Sequence, residues 1–212
     1  MTVELMKARS IAETLVAQMR PYCRRISVAG SIRRGCPEVG DIEIVAIPRW
    51  AESEAAEDPG SLFGDKKTLR ENLLHRWATS QMAVRWIKTG TSEIIPWTPK
   101  PEGRFWKGLV RDSIKLDLFL AAPDNWGPVF TIRTGCKEFS QALVTYAKYS
   151  TRYRFLEGYL VVEDKTVIPA REEGFVFDTL GVDWVEPPLR TGQHMVMRDG
   201  RPQFPRKMAA EA

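Results

Sequence analysis

The chain predicts an α+β fold: a mixed or antiparallel sheet with helices on one face, followed by a small α/β lobe. Three observations carry that expectation. Apolar runs with acids embedded in them, two in residues 41–47 and one in residues 114–120, are present; helical spacing marks residues 3–19 and returns from Asn125; and a short alternating pattern at residues 159–168 reads as a hairpin. With 212 residues and 43% hydrophobic content, the chain can bury a real core in one large domain or two small ones.

Taken in order, Leu5, Ala8, Ala12, Leu15, Val16 and Met19 share one helical face, and Pro21 ends that helix. Residues 26–29 read as a short strand, after which Gly30-Ser31 turns into a short helical segment whose backbone N–H groups suit a phosphate. The strand at residues 41–47 follows. Residues 49–65, rich in Glu, Ala, Asp, Pro and Gly without period, read as a mobile loop, and residues 66–79 as a helix. Strands are expected at residues 82–88, 92–97, 105–110 and 114–120. From Asn125 the pattern turns helical, breaks at Thr134-Gly135 and resumes through Phe139, Leu143 and Tyr146. Residues 159–162 and 166–168 pair about Glu163-Asp164-Lys165, and residues 172–180 form a helix ended by Gly181. The expected division is residues 1–122, residues 123–197, and a loose polar tail at residues 198–212.

Composition excludes several classes. No run of eighteen uncharged apolar residues occurs, and Glu4 and Lys7 precede any long apolar segment, so neither a membrane span nor a secretory signal is expected and a cytoplasmic protein is. Cys23, Cys36 and Cys136 are widely spaced and read as free thiols without a zinc pattern. Two histidines, His75 and His194, supply a His-based nucleophile relay poorly. The net charge of +4 and pI near 9.0 are mild, but the positive charge is clustered. Arg20, Arg24, Arg25, Arg33 and Arg34 precede Glu38 with no acid between them, and Lys100, Arg104, Lys107 and Arg111 interleave with Trp97, Phe105 and Trp106. Such a mixture suits a polyanion, while a solvated basic face and a Trp-packed hairpin remain the plain alternatives.

Asp41 and Glu43 stand two apart on a strand, so both point to one face while Ile42 and Ile44 face the other. Adjacent carboxylates repel unless a cation neutralises them, and hard divalent ions such as magnesium take oxygen ligands from one or two carboxylates plus substrate phosphates. Asp117, alone among apolar residues in Ile114-Lys115-Leu116-Asp117-Leu118-Phe119-Leu120, is the candidate third ligand. Beside the Asp41 strand it would complete a site for two ions about 4 Å apart, suited to in-line phosphoryl displacement. Each acid alone has a second reading, a solvated residue on an exposed strand face.

Gly30-Ser31-Ile32-Arg33-Arg34-Gly35, followed by Gly40-Asp41-Ile42-Glu43, closely resembles the nucleotidyltransferase signature of the family X DNA polymerases, the group of polymerase beta. Lys115-Leu116-Asp117 resembles that family's third carboxylate strand. Arg133-Thr134-Gly135 resembles its aromatic-Thr-Gly turn, and Glu172-Glu173 through Phe177, Leu180-Gly181 and Glu186-Pro187 to Arg190 its C-terminal segment. The small phage and bacterial members are the nearest in feel. The resemblance implies a nucleotidyltransferase palm in residues 1–122 and a thumb-like nucleotide-binding lobe in residues 123–197. It implies a DNA polymerase that extends a primer 3′-hydroxyl at a gap or on a primer-template, using nucleoside triphosphates and two magnesium ions, with manganese as an alternative. Asp41 and Glu43 would bridge both ions, and Asp117 would hold the catalytic one and help deprotonate the hydroxyl. Ser31, Arg34 and the backbone at Gly30 and Gly40 would hold the phosphates. Arg133, Thr134, Gly135 and Ser140 would lie against sugar and base. Repair by gap filling, no membrane contact and a monomer go with this reading.

Departures from the family pattern limit it. Glu43 stands where these polymerases usually carry Asp, Ile132-Arg133 replaces an aromatic pair or Gly-Trp, Ser140 replaces an Asn, and Lys137 an acid. Only 29 residues precede Gly30, so the family's N-terminal lyase domain is expected to be absent. Two alternatives stay open: a nucleotidyltransferase that is template-independent or acts on RNA or another acceptor, and a non-catalytic DNA-end-binding module.

Overall fold

The computed structural model describes residues 2–54, 68–88, 94–111, 113–192, 196–198 and 201–203. Its first half contains β1 (Val3–Glu4), α1 (Leu5–Met19), β2 (Cys23–Val28), α2 (Gly30–Arg34), β3 (Glu38–Val39), β4 (Asp41–Pro48), β5 (Trp50–Glu54), β6 (Thr68–Asn72) and α3 (Leu73–Ser80). Next come β7 (Val84–Ile87), β8 (Phe105–Val110) and β9 (Ile114–Leu120). The second half carries α4 (Trp126–Thr134), α5 (Lys137–Ser150), β10 (Tyr153–Leu156), β11 (Tyr159–Val162), β12 (Val167–Ile168), α6 (Glu173–Leu180), β13 (Val196–Arg198) and β14 (Arg201–Gln203). The fold is α+β.

A five-stranded mixed sheet in the order β2-β4-β9-β8-β7 organises the first half; β4 and β9 run parallel and every other pair is antiparallel. Alternation along its strands divides the apolar residues between two faces. Ile42, Ile44, Leu116 and Leu118, all at 0% exposure, point to one face and pack with Ala8, Leu15 and Met19 of α1 and Leu74 and Trp77 of α3. Val45, Ile47 and Phe119 point to the other and pack against Trp126 and Phe130 of α4. The expected boundary at residue 122 therefore crosses a shared apolar cluster. A separate core, Phe139, Leu143, Tyr146, Leu160, Val176, Phe177 and Leu180, joins α5 and α6 to the three-stranded antiparallel sheet β10-β11-β12. No helix among the described residues is long and apolar enough to cross a membrane.

Several expectations are corrected. Residues 50–54, expected as loop, pair with residues 68–72, expected as helix, in register Trp50↔Asn72 to Glu54↔Thr68. The pairing is held by an Arg70–Glu52 ion pair and by Arg70 lying over the Trp50 ring, contacts between residues too far apart for a local pattern to show. The helix starts only at Leu73 because the Asn72 side chain caps it, accepting the His75 N–H at 3.1 Å. The rest of the expected loop, residues 55–65, lies outside the described residues. So does the start of the expected strand at 92–97, whose described part adds only a bridge between Pro96 and Ile87. β10 was not expected; it pairs Tyr153–Leu156 with β11. Residues 198 and 201–203, expected as loose tail, belong to the β13–β14 pair, and residues 204–212 lie outside the described set.

Candidate active site

The parallel register of β4 and β9 sets Glu43 directly opposite Asp117 and Asp41 opposite Lys115; the antiparallel register of β8 sets Lys107 opposite Asp117. Glu43, Asp117 and Lys107 thus form a row across three strands, neighbours about 4.8 Å apart, with Asp41 two residues along the same face. All of these except the exposed Lys115 are half-buried. Burial and the adjacent Asp41 and Asp117 charges push the Glu43 carboxyl up to about 7, partly opposed by Arg133 and Arg34. Burial raises Asp117 too, with Lys107 opposing it. Lys107 was readable only as general basic charge; its place beside the acids follows from strand register.

Gly30 opens α2 with φ +59° directly beneath Glu43: a Cβ at residue 30 would stand 1.9 Å from Glu43 Oε2. Only glycine fits, both for its backbone and for the carboxylate above it. The Ala29 N–H donates to the Glu43 carbonyl at 2.8 Å and fastens the turn to β4. Ser31 Oγ is buried with no hydrogen-bond partner, as is Asp117 Oδ1. Gly40 has nothing within 4 Å of its Cβ direction and leaves open space before Asp41.

A cleft of about 380 Å³ opens at the Glu43 member of this row, lined by Arg34, Glu43, Arg133, Gly135, Lys137, Ser140 and neighbours. Arg133 enters from the end of α4, its guanidinium 4.0 Å from the Phe119 ring centroid, in the electrostatic range of both Glu43 and Asp117; burial lowers its pKa. Arg34 donates to the Thr134 carbonyl at 2.7 Å and lines the cleft. Arg33 points away and is not a cleft residue: it donates to Thr134 Oγ1 at 2.7 Å and Glu173 at 2.6 Å, and stacks 4.0 Å over Phe130.

The expected sugar and base residues sit differently from one another. Arg133 and Gly135 line the cleft, whereas the Thr134 side chain is fully buried and committed to Arg33. Gly135 is required by helix packing, since a Cβ there would meet Phe139 and Ser140 side chains at 2.5 and 2.6 Å. Ser140 lines the cleft but donates its hydroxyl to the Ile132 carbonyl at 2.7 Å, leaving its lone pairs for a ligand.

The donor set suits a hard divalent cation: three carboxylates on one face, one with an orphaned buried oxygen. Among the described residues, no three His, Cys, Asp or Glu side chains are already gathered around a single metal position. Glu43 rests on Gly30, and the Asp41 and Asp117 charges raise its pKa.

Residues 130–191 match the family model described as the DNA polymerase beta thumb, a DNA-binding part of such enzymes. No curated protein matches the chain. The matched segment runs from the end of α4, which brings Arg133 to the acids, through α6 to the buried Arg190. That segment is polymerase beta-like, and it is built onto the sheet that carries the three carboxylates.

Proposed function

We propose that the chain is a nucleotidyltransferase of family X DNA polymerase type, extending a DNA primer 3′-hydroxyl with deoxynucleotides and releasing pyrophosphate. The observation that carries the proposal is the Glu43–Asp117 register, with Asp41 on the same face, opening on a cleft whose far wall is the thumb-matched segment. Asp41 and Glu43 would hold two magnesium ions, and Asp117 the one nearer the attacking hydroxyl; manganese suits the same oxygens. Bound there, the ions neutralise the acids and the developing phosphate charge. Arg34 offers an always-charged donor fork to the triphosphate, and the partnerless Ser31 hydroxyl offers a further donor at the start of α2. Asp117, whose Oδ1 is unpartnered, would accept the proton of the primer hydroxyl as it attacks. Positioning and charge stabilisation supply the rate. Gap filling, as in repair, is the setting of this reading.

Arg133 favours keeping a second reading: transfer without template, or to RNA or another acceptor. A cation now lies beside the acids where an aromatic residue would contact the sugar, so deoxyribose selection need not follow. Incubation with magnesium, labelled nucleotides and gapped duplex, single-stranded DNA or RNA separates the readings. Template-directed extension of the gapped duplex is expected. Untemplated addition would support the second reading, and binding without product would leave a DNA-end-binding module. Arg34→Ala is expected to raise the nucleotide KM by about tenfold; an unchanged KM would remove its phosphate role.

A further inference from the structure

Three hollows lie in series along the joint between the sheet and the C-terminal lobe. The catalytic cleft meets a second hollow, of about 360 Å³, at Ile132 and Arg133. The second meets a third, of about 320 Å³, at Arg104, Leu120 and Asn125. The series follows β4 from Asp41 at the catalytic end toward Pro48 at the other, roughly 23 Å at about 3.3 Å per residue.

An arginine stands at each junction and aromatic faces lie between them. The middle hollow is floored by Phe105 and Phe119, stacked with centroids 4.9 Å apart at 21°, and is walled by Phe155. The far hollow presents the half-buried Trp50 and Tyr159 beside Arg24 and Arg70. Arg24 is exposed and, among the described residues, forms no ion pair or hydrogen bond. Arg49, bonded to the Cys23 carbonyl, flanks Trp50 from an adjoining hollow. The acids there are Glu102 and Glu157, and Glu157 is held by Arg104 at 2.9 Å in a pair exposed on both sides.

Exposed cations alternating with the half-buried rings of Phe105, Phe155, Tyr159 and Trp50, along a row of hollows, fit a single strand: bases pack on the rings and phosphates meet the arginines. A duplex keeps its bases stacked inside and would leave the rings unused. We infer that this track holds an unpaired DNA strand adjoining the acceptor end, reaching from the catalytic cleft past Arg104 to Trp50 and Arg24. The inference rests on the nucleotidyl-transfer reading only for which end of the DNA lies in the cleft.

The test measures fluorescence anisotropy of a labelled primer–template duplex, blunt-ended or with an unpaired template overhang of roughly eight nucleotides beyond the primer 3′ end, in EDTA and without nucleotide. The native chain should bind the overhang DNA at least several-fold more tightly. Trp50→Ala should weaken that binding by about tenfold, the loss of one stacked base. Arg24→Glu should weaken it similarly and lower the slope of log affinity against log salt by about 0.7, one single-strand phosphate contact. Neither change should alter binding of the DNA without overhang. Arg24 is exposed and, among the described residues, unpaired, so its variant stays informative if Trp50→Ala is poorly folded. Equal wild-type affinity for both DNAs, or equal weakening on both, would overturn the track. Because binding is read without catalysis, loss of the track and loss of the transferase reading are separate outcomes.

Discussion

Glu43 is held from three sides: Gly30 beneath it, Asp117 across the ladder and Asp41 two residues away. Its carboxyl, raised from 4.5 to about 7, binds a proton more tightly in the folded chain than in the unfolded one. The stability this contributes is full below about pH 4.5, declines as pH rises, and is lost above about pH 7. Asp117, also raised, acts in the same direction. Without divalent ions, the melting temperature should therefore fall between pH 5 and pH 8, Glu43→Gln should flatten the fall, and magnesium should reverse it at pH 8. A metal-free melting temperature that rises over this range would contradict the account. The three acids were readable in the sequence because a carboxylate inside an apolar strand is conspicuous. The roles of Arg33 and Thr134 were not, because their partners are set by a fold that joins residues 100 or more positions apart.

Among the elements, α2 shows how backbone geometry builds the cleft. Gly30 and Gly35 both have positive φ, +59° and +75°, but only Gly30 lies against a side chain the site uses; nothing stands within 4 Å of a Cβ at Gly35. Gly30→Ala should displace Glu43 and reduce nucleotide transfer by about a hundredfold or more, the scale of a lost electrostatic group. Gly35→Ala should cost about 1 kcal/mol of stability, read by denaturant melts, with transfer nearly unchanged. Equal effects on transfer would detach Glu43 from Gly30. At this scale β8 and β9 were legible to the residue, because apolar alternation and flanking turns agree there. The pairing of β5 and β6 was not, since in Trp-Ala-Glu-Ser-Glu and Thr-Leu-Arg-Glu-Asn only the first residue of each, Trp50 and Thr68, is of the aromatic or β-branched kind that announces a strand.

Across the whole molecule, the two halves are joined by charge as well as by apolar packing. Glu173, 6% exposed, accepts from Arg33 at 2.6 Å and from Arg190 at 2.5 Å; Arg190 is fully buried and lies over Phe177 and Trp184. Nearby, Arg25 grips Glu172 with two bonds of 2.7 Å and stacks over Trp126. Glu173→Ala should leave two arginines without their acid and destabilise the fold by about 3–5 kcal/mol, read by chemical denaturation. A loss under about 1 kcal/mol would mean the triad is not a structural joint. The Arg25 pair is exposed, so Glu172→Ala should cost well under that.

The central claim is that Asp117, facing Glu43 across β4 and β9, completes a divalent-cation site for nucleotidyl transfer. The most direct measurement is single-turnover extension of a gapped duplex with magnesium by the native chain and by Asp117→Ala, alongside nucleotide binding to each. Asp117→Ala should lower the extension rate by about a thousandfold with nucleotide affinity kept within a few fold. Extension by Asp117→Ala at more than about a tenth of the native rate would contradict it.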